Sequence, residues 1–217
     1  MLKKTISDNS VNDDLVIEKI KKTLLRLHGA FAESDNAVSR QDYMKSIGRE
    51  GIDGHFSLSA DDIIKNKIGA RVIGCTGTAK LFAKLAEEQN LDVFVVTTAE
   101  FDTWNKARQG GDNIINGHQI IAVRTKDGLR AFDPGKTTVQ FIPAHLKVGN
   151  FIKALDKQPP YLITGIIPAK EFEKVDSYAK LRNLYASSDR SVSDFTISPN
   201  RADYAARVGK GTGERGS

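Results

Sequence analysis

The sequence contains very little cysteine. Cys75 is the only cysteine among 217 residues, and there are four histidines. One cysteine cannot form an internal disulfide, and the sequence has none of the spacings of a multi-cysteine zinc site. We therefore expect no disulfide cross-link and no metal, and the sequence implies no organic cofactor.

Long apolar runs are also missing. No run approaches the roughly 18–20 apolar residues that a membrane-spanning helix needs. The first residues, MLKKTISDNSVNDD, carry lysines but lack the apolar segment that follows them in a signal peptide. We therefore predict a cytoplasmic protein that does not associate with membranes, while export without a cleaved signal stays open.

Basic and acidic residues are interspersed along the chain. The 32 Lys and Arg are interspersed with 27 Asp and Glu, for a net charge of +5. A basic helix face, or basic residues alternating with aromatic ones, would indicate a nucleic-acid-binding surface. The sequence shows neither pattern. We therefore interpret the positive charge as a solvated surface and predict no nucleic-acid partner.

The hydrophobic period changes along the chain. Helical spacing and capping residues predict helices from Ser10 to about Gly29, from Ser39 to about Gly48, over 59–68 and over 177–185. Period-two alternation predicts strands at 92–98, 118–125, 129–134, 137–142 and 161–167. Helices followed by hairpin-connected strands predict an α+β fold.

Cys75 lies in a glycine-flanked turn, which has a dinucleotide-binding interpretation. ARVI, GCTG, TAKLFAKLAEEQ and DVFVV have the outline of a Rossmann strand–turn–helix–strand unit. However, the pattern Gly74-x-x-Gly77-x-x-Lys80 puts a lysine where the third glycine is needed, and the Walker pattern is absent. A Rossmann-type oxidoreductase is therefore our third choice.

The second interpretation makes Cys75 a nucleophile. A helix predicted from about Thr76 to Gln89 would place its free N–H groups and its dipole next to the sulfur, and both stabilise a thiolate. Gly74 would leave the approach to the sulfur uncrowded, and Lys80 is expected to face water. Taken alone, a lone cysteine is more commonly a small buried apolar residue.

His118 and Asp133 favour the nucleophile. A thiol nucleophile needs a general base, and the base needs an orienting partner. If residues 125–128 form a four-residue hairpin loop, Asp133 lies opposite Ile120, on the same face as His118 and one diagonal away. A two-residue loop at 127–128 would place Asp133 too far along the strand. We predict the wider loop.

Together, GARVIGCTGTAKLFAKLAEEQNLDVFVV and GHQIIAVRTKDGLRAFDPG resemble the transglutaminase-like superfamily of papain-fold cysteine enzymes. The resemblance covers roughly residues 59–142, and its most specific part is the His-to-Asp unit ending in Asp-Pro. It implies a papain/transglutaminase-like core in which the cysteine lies on a central helix packed against a mostly antiparallel sheet. It further implies Cys75 as nucleophile, His118 as base and then acid, and Asp133 as the group that orients the imidazole.

Some positions depart from the family pattern. Gln119 and Ile120 follow His118 where an aromatic residue is usual. Papain-like relatives place an oxyanion-hole glutamine six residues before the cysteine, where this chain has Gly69. The backbone N–H of Cys75 can supply one oxyanion donor, and we consider Asn66 as the second.

Residues around the predicted site have alternative roles. Trp104 could line a substrate groove or pack in the core. The loop after it contains Gly110 and Gly111 and could close over the cleft as a lid. The other histidines are predicted to be surface or packing residues: His28, His55 and His145.

These features predict a cysteine-dependent enzyme that acts on an amide-type acyl group of a protein or peptide through an acyl-thioester. Hydrolysis, as in a peptidase or deamidase, is favoured over cross-linking because the extra domains and acidic calcium sites of large animal transglutaminases are absent. The alternative is a catalytically weak or inactive binding module of the same fold. We divide the chain into an N-terminal helical segment (1–55), a transglutaminase-like catalytic domain (56–190) and a polar tail (191–217).

Overall fold

The computed structural model describes residues 13–33, 39–49, 54, 56–108, 115–142, 146–152 and 161–187. The predicted tail, His55, His145 and the Gly110–Gly111 lid lie outside them. The described elements are α1 (Asp13–Glu33), α2 (Arg40–Ser46), α3 (Ala60–Lys65), α4 (Ala70–Glu87), β1 (Val93–Glu100), α5 (Phe101–Arg108), β2 (Gly117–Thr125), β3 (Gly128–Phe132), β4 (Phe151–Ile152), β5 (Tyr161–Pro168), α6 (Ala169–Phe172) and α7 (Tyr178–Ser187).

Two predicted helix starts are confirmed by their capping chemistry, while the start predicted at Ser10 lies outside the described residues. Ser39 caps α2, and Ser59 forms a reciprocal capping box with Asp62 at the start of α3. These side chains satisfy backbone N–H groups that have no partner within the helix. The predicted end of α1 at Gly29 is wrong, because the buried stripe continues to Phe31 and the helix continues to Glu33.

The five strands form one sheet in the order β3-β2-β1-β5-β4, and every neighbouring pair is antiparallel. The fold is therefore α+β, as predicted. A Rossmann unit requires parallel strands, so this sheet contradicts the Rossmann interpretation. The ARVI run, which that interpretation made a strand, forms the first turn of α4.

The hairpin between β2 and β3 has the predicted register. Thr125 pairs with Gly128, and Ile121 pairs with Phe132. The next residue along, Asp133, is therefore in line with Ile120. The strand predicted at 137–142 is wrong: only Ile142 bridges to the sheet, because Val139 and Phe141 pack individually against the main core after the turn that follows Asp133.

The sheet separates two apolar clusters. The helices cover one face, where α1 and α4 contribute Ile20, Leu24 and Phe82 to the main core. On the other face, Ile142, residues 146–152 and β5 enclose a smaller cluster around Ile120. Since α1 belongs to the main core, the N-terminal helices are part of the fold that holds the sheet.

Candidate active site

Helix α4 bends sharply just before the cysteine. Gly74 has φ 60° and ψ −165°, a combination that is essentially restricted to glycine. Gly77 lies so close to Ile73 that an added Cβ would come within 2.4 Å of the Ile73 Cβ atom. The two glycines thus allow the bend, and Cys75 begins a new helical segment. Cys75 therefore lies in the first turn of a helix, as predicted.

The thiol lies beside the open edge of β2. Strand β3 ends at Phe132, opposite Ile121, so among the described residues 117–120 pair with β1 alone. Cys75 Sγ donates to Gln119 Oε1 at 2.8 Å, and the Thr76 hydroxyl donates to the same oxygen at 3.0 Å. The cysteine helix is thereby joined to the strand that carries the histidine.

His118 and Asp133 are hydrogen-bonded, as the register predicts. His118 Nε2 lies 2.9 Å from Asp133 Oδ2, and the other oxygen, Asp133 Oδ1, accepts from the Gly135 N–H at 2.8 Å. The Asp133 side chain is only 11% exposed, so the carboxylate is held in place. Because Nε2 is engaged by Asp133, Nδ1 is the ring nitrogen that can exchange a proton with the thiol.

The three groups shift one another's proton affinities. Burial raises the pKa of the Cys75 thiol, but the hydrogen bond and charge of His118 outweigh it and bring the pKa below its usual value. Burial lowers the pKa of His118, yet hydrogen bonds to Asp133 and Cys75 raise it overall to about 9. Burial raises the pKa of Asp133, while the His118 hydrogen bond lowers it more, for a net decrease. These directions favour a thiolate–imidazolium pair beside an ionised carboxylate at neutral pH.

Two predicted accessory residues have other contacts. Asn66 is the C-terminal cap of α3, where its Nδ2 donates to the Asp62 carbonyl at 2.9 Å, and its role as oxyanion donor stays a prediction. Trp104 is 4% exposed and packs against Phe101 in the main core. Its side chain offers too little surface to line a groove. Trp104 is therefore a core residue, which is the second of its two predicted roles.

His28 is a packing residue, as predicted. Its Nε2 is 3.0 Å from the Lys136 carbonyl, and its ring contacts Phe31 edge-on. It therefore connects α1 to the turn that follows Asp133.

Sequence reasoning missed two neighbours of the thiol. Gln119 was noted only as a departure from a family pattern, although a polar residue on the inward-facing side of a buried strand is itself a signal. Tyr161, at the start of β5, is near enough that the charges of Glu100 and Cys75 add to burial in raising its pKa. No pattern in the sequence brings β5 to the thiol.

The described part of the chain has no group of three or more His, Cys, Asp or Glu arranged to hold a metal ion. In the same part, no helix combines the length and apolar character needed to cross a membrane. No protein-family model, curated protein or solved structure matches this chain.

Proposed function

We propose that the protein is a cysteine-dependent enzyme of the transglutaminase-like, papain-fold type, which hydrolyses or transfers an amide-type acyl group of a protein or peptide. The observation that carries the proposal is that Cys75 of α4 meets His118 and Asp133 of the β2–β3 hairpin, more than 40 residues further along the chain. The 2.9 Å bond between His118 and Asp133 and the lowered pKa of the thiol support it. The α+β arrangement, with the cysteine on a helix beside an antiparallel sheet, supports it further.

The first half of the reaction forms the acyl-enzyme. The Cys75 thiolate attacks the substrate carbonyl carbon, and the carbonyl π electrons move to oxygen, where the Cys75 backbone N–H can donate. The His118 imidazolium then gives its proton to the leaving amine as the C–N bond breaks. The products are a thioester on Cys75 and a neutral imidazole.

The second half releases the acyl group. Neutral His118 takes a proton from water, or from an amine, as its oxygen or nitrogen attacks the thioester carbonyl. The C–S bond breaks and the thiolate returns, again paired with the imidazolium. Asp133 keeps the ring oriented throughout and stabilises its charged form. Hydrolysis is the proposed outcome, and transfer to an amine is the alternative.

Thiol reactivity across pH tests the proposal. We expect iodoacetamide to alkylate Cys75 in the native protein at mildly acid pH, because the thiolate is already present there. His118→Ala should slow this alkylation by about 100-fold, within the range of a lost general base. A thiol that reacts only after denaturation would contradict the enzyme and leave the inactive binding module.

Trapping the acyl-enzyme tests the chemistry itself. Incubation with a small activated acyl ester, followed by acid quenching and intact mass spectrometry, should show one acyl group on Cys75. Cys75→Ser is the matched control and should show none under the same conditions. A native protein that alkylates rapidly but never acylates would contradict acyl transfer while leaving the activated thiol intact.

A further inference from the structure

The Gln119 carboxamide is a buried hydrogen-bond partner of the thiol. Gln119 is 1% exposed on the face of β2 that also carries Ile121 and Val123 into the main core. A buried carboxamide is costly unless it is hydrogen-bonded. Here its Oε1 accepts from both Cys75 Sγ and Thr76 Oγ1.

This arrangement suits only the neutral thiol. A thiolate has no proton to donate, and Sγ and Oε1 would then be two acceptors 2.8 Å apart. Pairing with His118 nevertheless favours the thiolate. The hydrogen-bond pattern and the electrostatics thus describe two protonation states of one site.

A half-turn of the carboxamide reconciles the two states. The terminal torsion of glutamine is broad and nearly two-fold, so a half-turn exchanges the positions of the oxygen and the nitrogen. The Nε2 group would then donate to the thiolate. The Thr76 hydroxyl can follow, because a hydroxyl can both donate and accept.

We propose that Gln119 is a positioning residue whose carboxamide turns with the protonation state of Cys75, accepting from the neutral thiol through Oε1 and donating to the thiolate through Nε2. This inference rests on the proposed function. The turned carboxamide adds a side-chain donor to the backbone N–H groups of Gln119 and Cys75, which already lower the pKa of the thiol. The sulfur is thereby kept in one place in both states.

The sign of one pKa change tests the proposal. An acceptor to the neutral thiol raises the thiol pKa, whereas a donor to the thiolate lowers it. The second effect is the larger, because a hydrogen bond to a charged group is about twice as strong as one between neutral groups. Gln119→Leu should therefore raise the pKa read from the pH dependence of alkylation by about one unit, which is a tenfold loss of thiolate below that pKa. A lowered pKa would mean a fixed acceptor, and an unchanged pKa would mean no coupling. Either result overturns the proposal.

Two variants sharpen this test. Gln119→Glu presents only acceptors when ionised, so it should raise the thiol pKa more than Gln119→Leu does. Thr76→Val keeps the side-chain shape but removes the hydroxyl, and it should change the thiol pKa less. The titratable groups around the thiol are His118 of β2, Asp133 behind it and Tyr161 of β5, and all remain in these variants.

A measurement on the wild-type protein guards against a variant that fails to fold. The side-chain amide resonances of Gln119, followed by ¹⁵N NMR across pH, should shift with the midpoint of thiolate formation. Resonances that do not move there would overturn the proposal. A wild-type thiol with an ordinary pKa of about 8.5 would instead contradict the proposed function, so the two failures are distinguishable.

Discussion

Two of the ionisable side chains of helix α4, Cys75 and Lys80, lie five residues apart, and their partners differ in kind. Lys80 is 2% exposed, and its Nζ donates to the backbone carbonyls of Phe56 and Leu58, both at 3.1 Å, and of Val175 at 2.6 Å. The prediction that Lys80 faces water is therefore wrong. Its ammonium group connects α4 to residues 56–58, which precede the helix in sequence, and to Val175, which follows it.

The difference lies in what the partners can do with a proton. A backbone carbonyl accepts a hydrogen bond but does not take the proton. The contacts of Lys80 are therefore structural, because its partners cannot exchange a proton with it. His118, beside Cys75, can both take and return a proton. Burial lowers the pKa of Lys80, and the nearby charge of Glu173 opposes this decrease. Lys80 and Cys75 therefore both have perturbed pKa values. It is the chemistry of the partners that separates a reactive site from a structural one.

The largest expected effect is that substitutions at Cys75 and Lys80 change different properties: thiol reactivity at Cys75 and the free energy of unfolding at Lys80. Cys75→Ser should abolish alkylation and acylation while changing the free energy of unfolding by less than about 1 kcal/mol. Lys80→Met should lower the free energy of unfolding by about 3 kcal/mol, because it leaves buried carbonyls without their cation. Urea unfolding and alkylation of the folded fraction measure the two quantities.

Lys84→Met is the matched control for Lys80. Lys84 is an exposed lysine of the same helix, and its ion pair with Asp61 is open to solvent. Its loss should change the free energy of unfolding by less than about 0.5 kcal/mol. If Lys80→Met were equally mild, or if it stopped alkylation in protein that is still folded, the contrast between the two residues would fail.

A smaller effect is expected at the bend between the two halves of α4. Gly74→Ala forces a side chain into a backbone conformation restricted to glycine, at a cost of about 2 kcal/mol, and it should slow alkylation by displacing Cys75. Gly29→Ala is the control, since a Cβ there meets nothing within 4 Å. It should stabilise α1 by about 0.5–1 kcal/mol. Equal effects of the two changes on thermal unfolding would argue against a strained bend.

The smallest effect is a shift of pH dependence at Asp133. The imidazolium that protonates the leaving amine is lost as pH rises through the pKa of His118, so turnover on a reactive acyl substrate should fall above pH of about 9. Asp133→Asn removes a cause of that raised pKa, so the alkaline limb of kcat/KM should move to lower pH. Asp127→Asn, an exposed change in the same hairpin, should leave the limb in place. An unmoved limb in Asp133→Asn would contradict the pairing.

Local chemistry made much of this fold predictable from the sequence. The caps at Ser39 and Ser59 depend on residues three positions apart, and period-two alternation located β1, β2, β3 and β5. Hairpin register is also local, which is why the sequence alone predicts the pairing of His118 with Asp133. These predictions use interactions within one element or between neighbours along the chain.

The missed features depend on contacts between distant segments. Lys80 is buried because carbonyls more than 20 residues before it and 95 residues after it meet its side chain. Gln119 reaches Cys75 because α4 lies at the edge of β2 beyond the end of β3. The ARVI run has β-branched residues, yet Val72 and Ile73 pack in the main core as helical residues. Tertiary packing overrides local preference at these positions.

The most direct test of the central claim is the ultraviolet absorbance of the thiolate, measured against pH in the native protein with Cys75→Ser subtracted. We predict a thiolate midpoint well below the ordinary thiol pKa of about 8.5, and we predict that it moves upward in His118→Ala. A midpoint at or above that ordinary value, unchanged when His118 is removed, would contradict a thiolate–imidazolium pair.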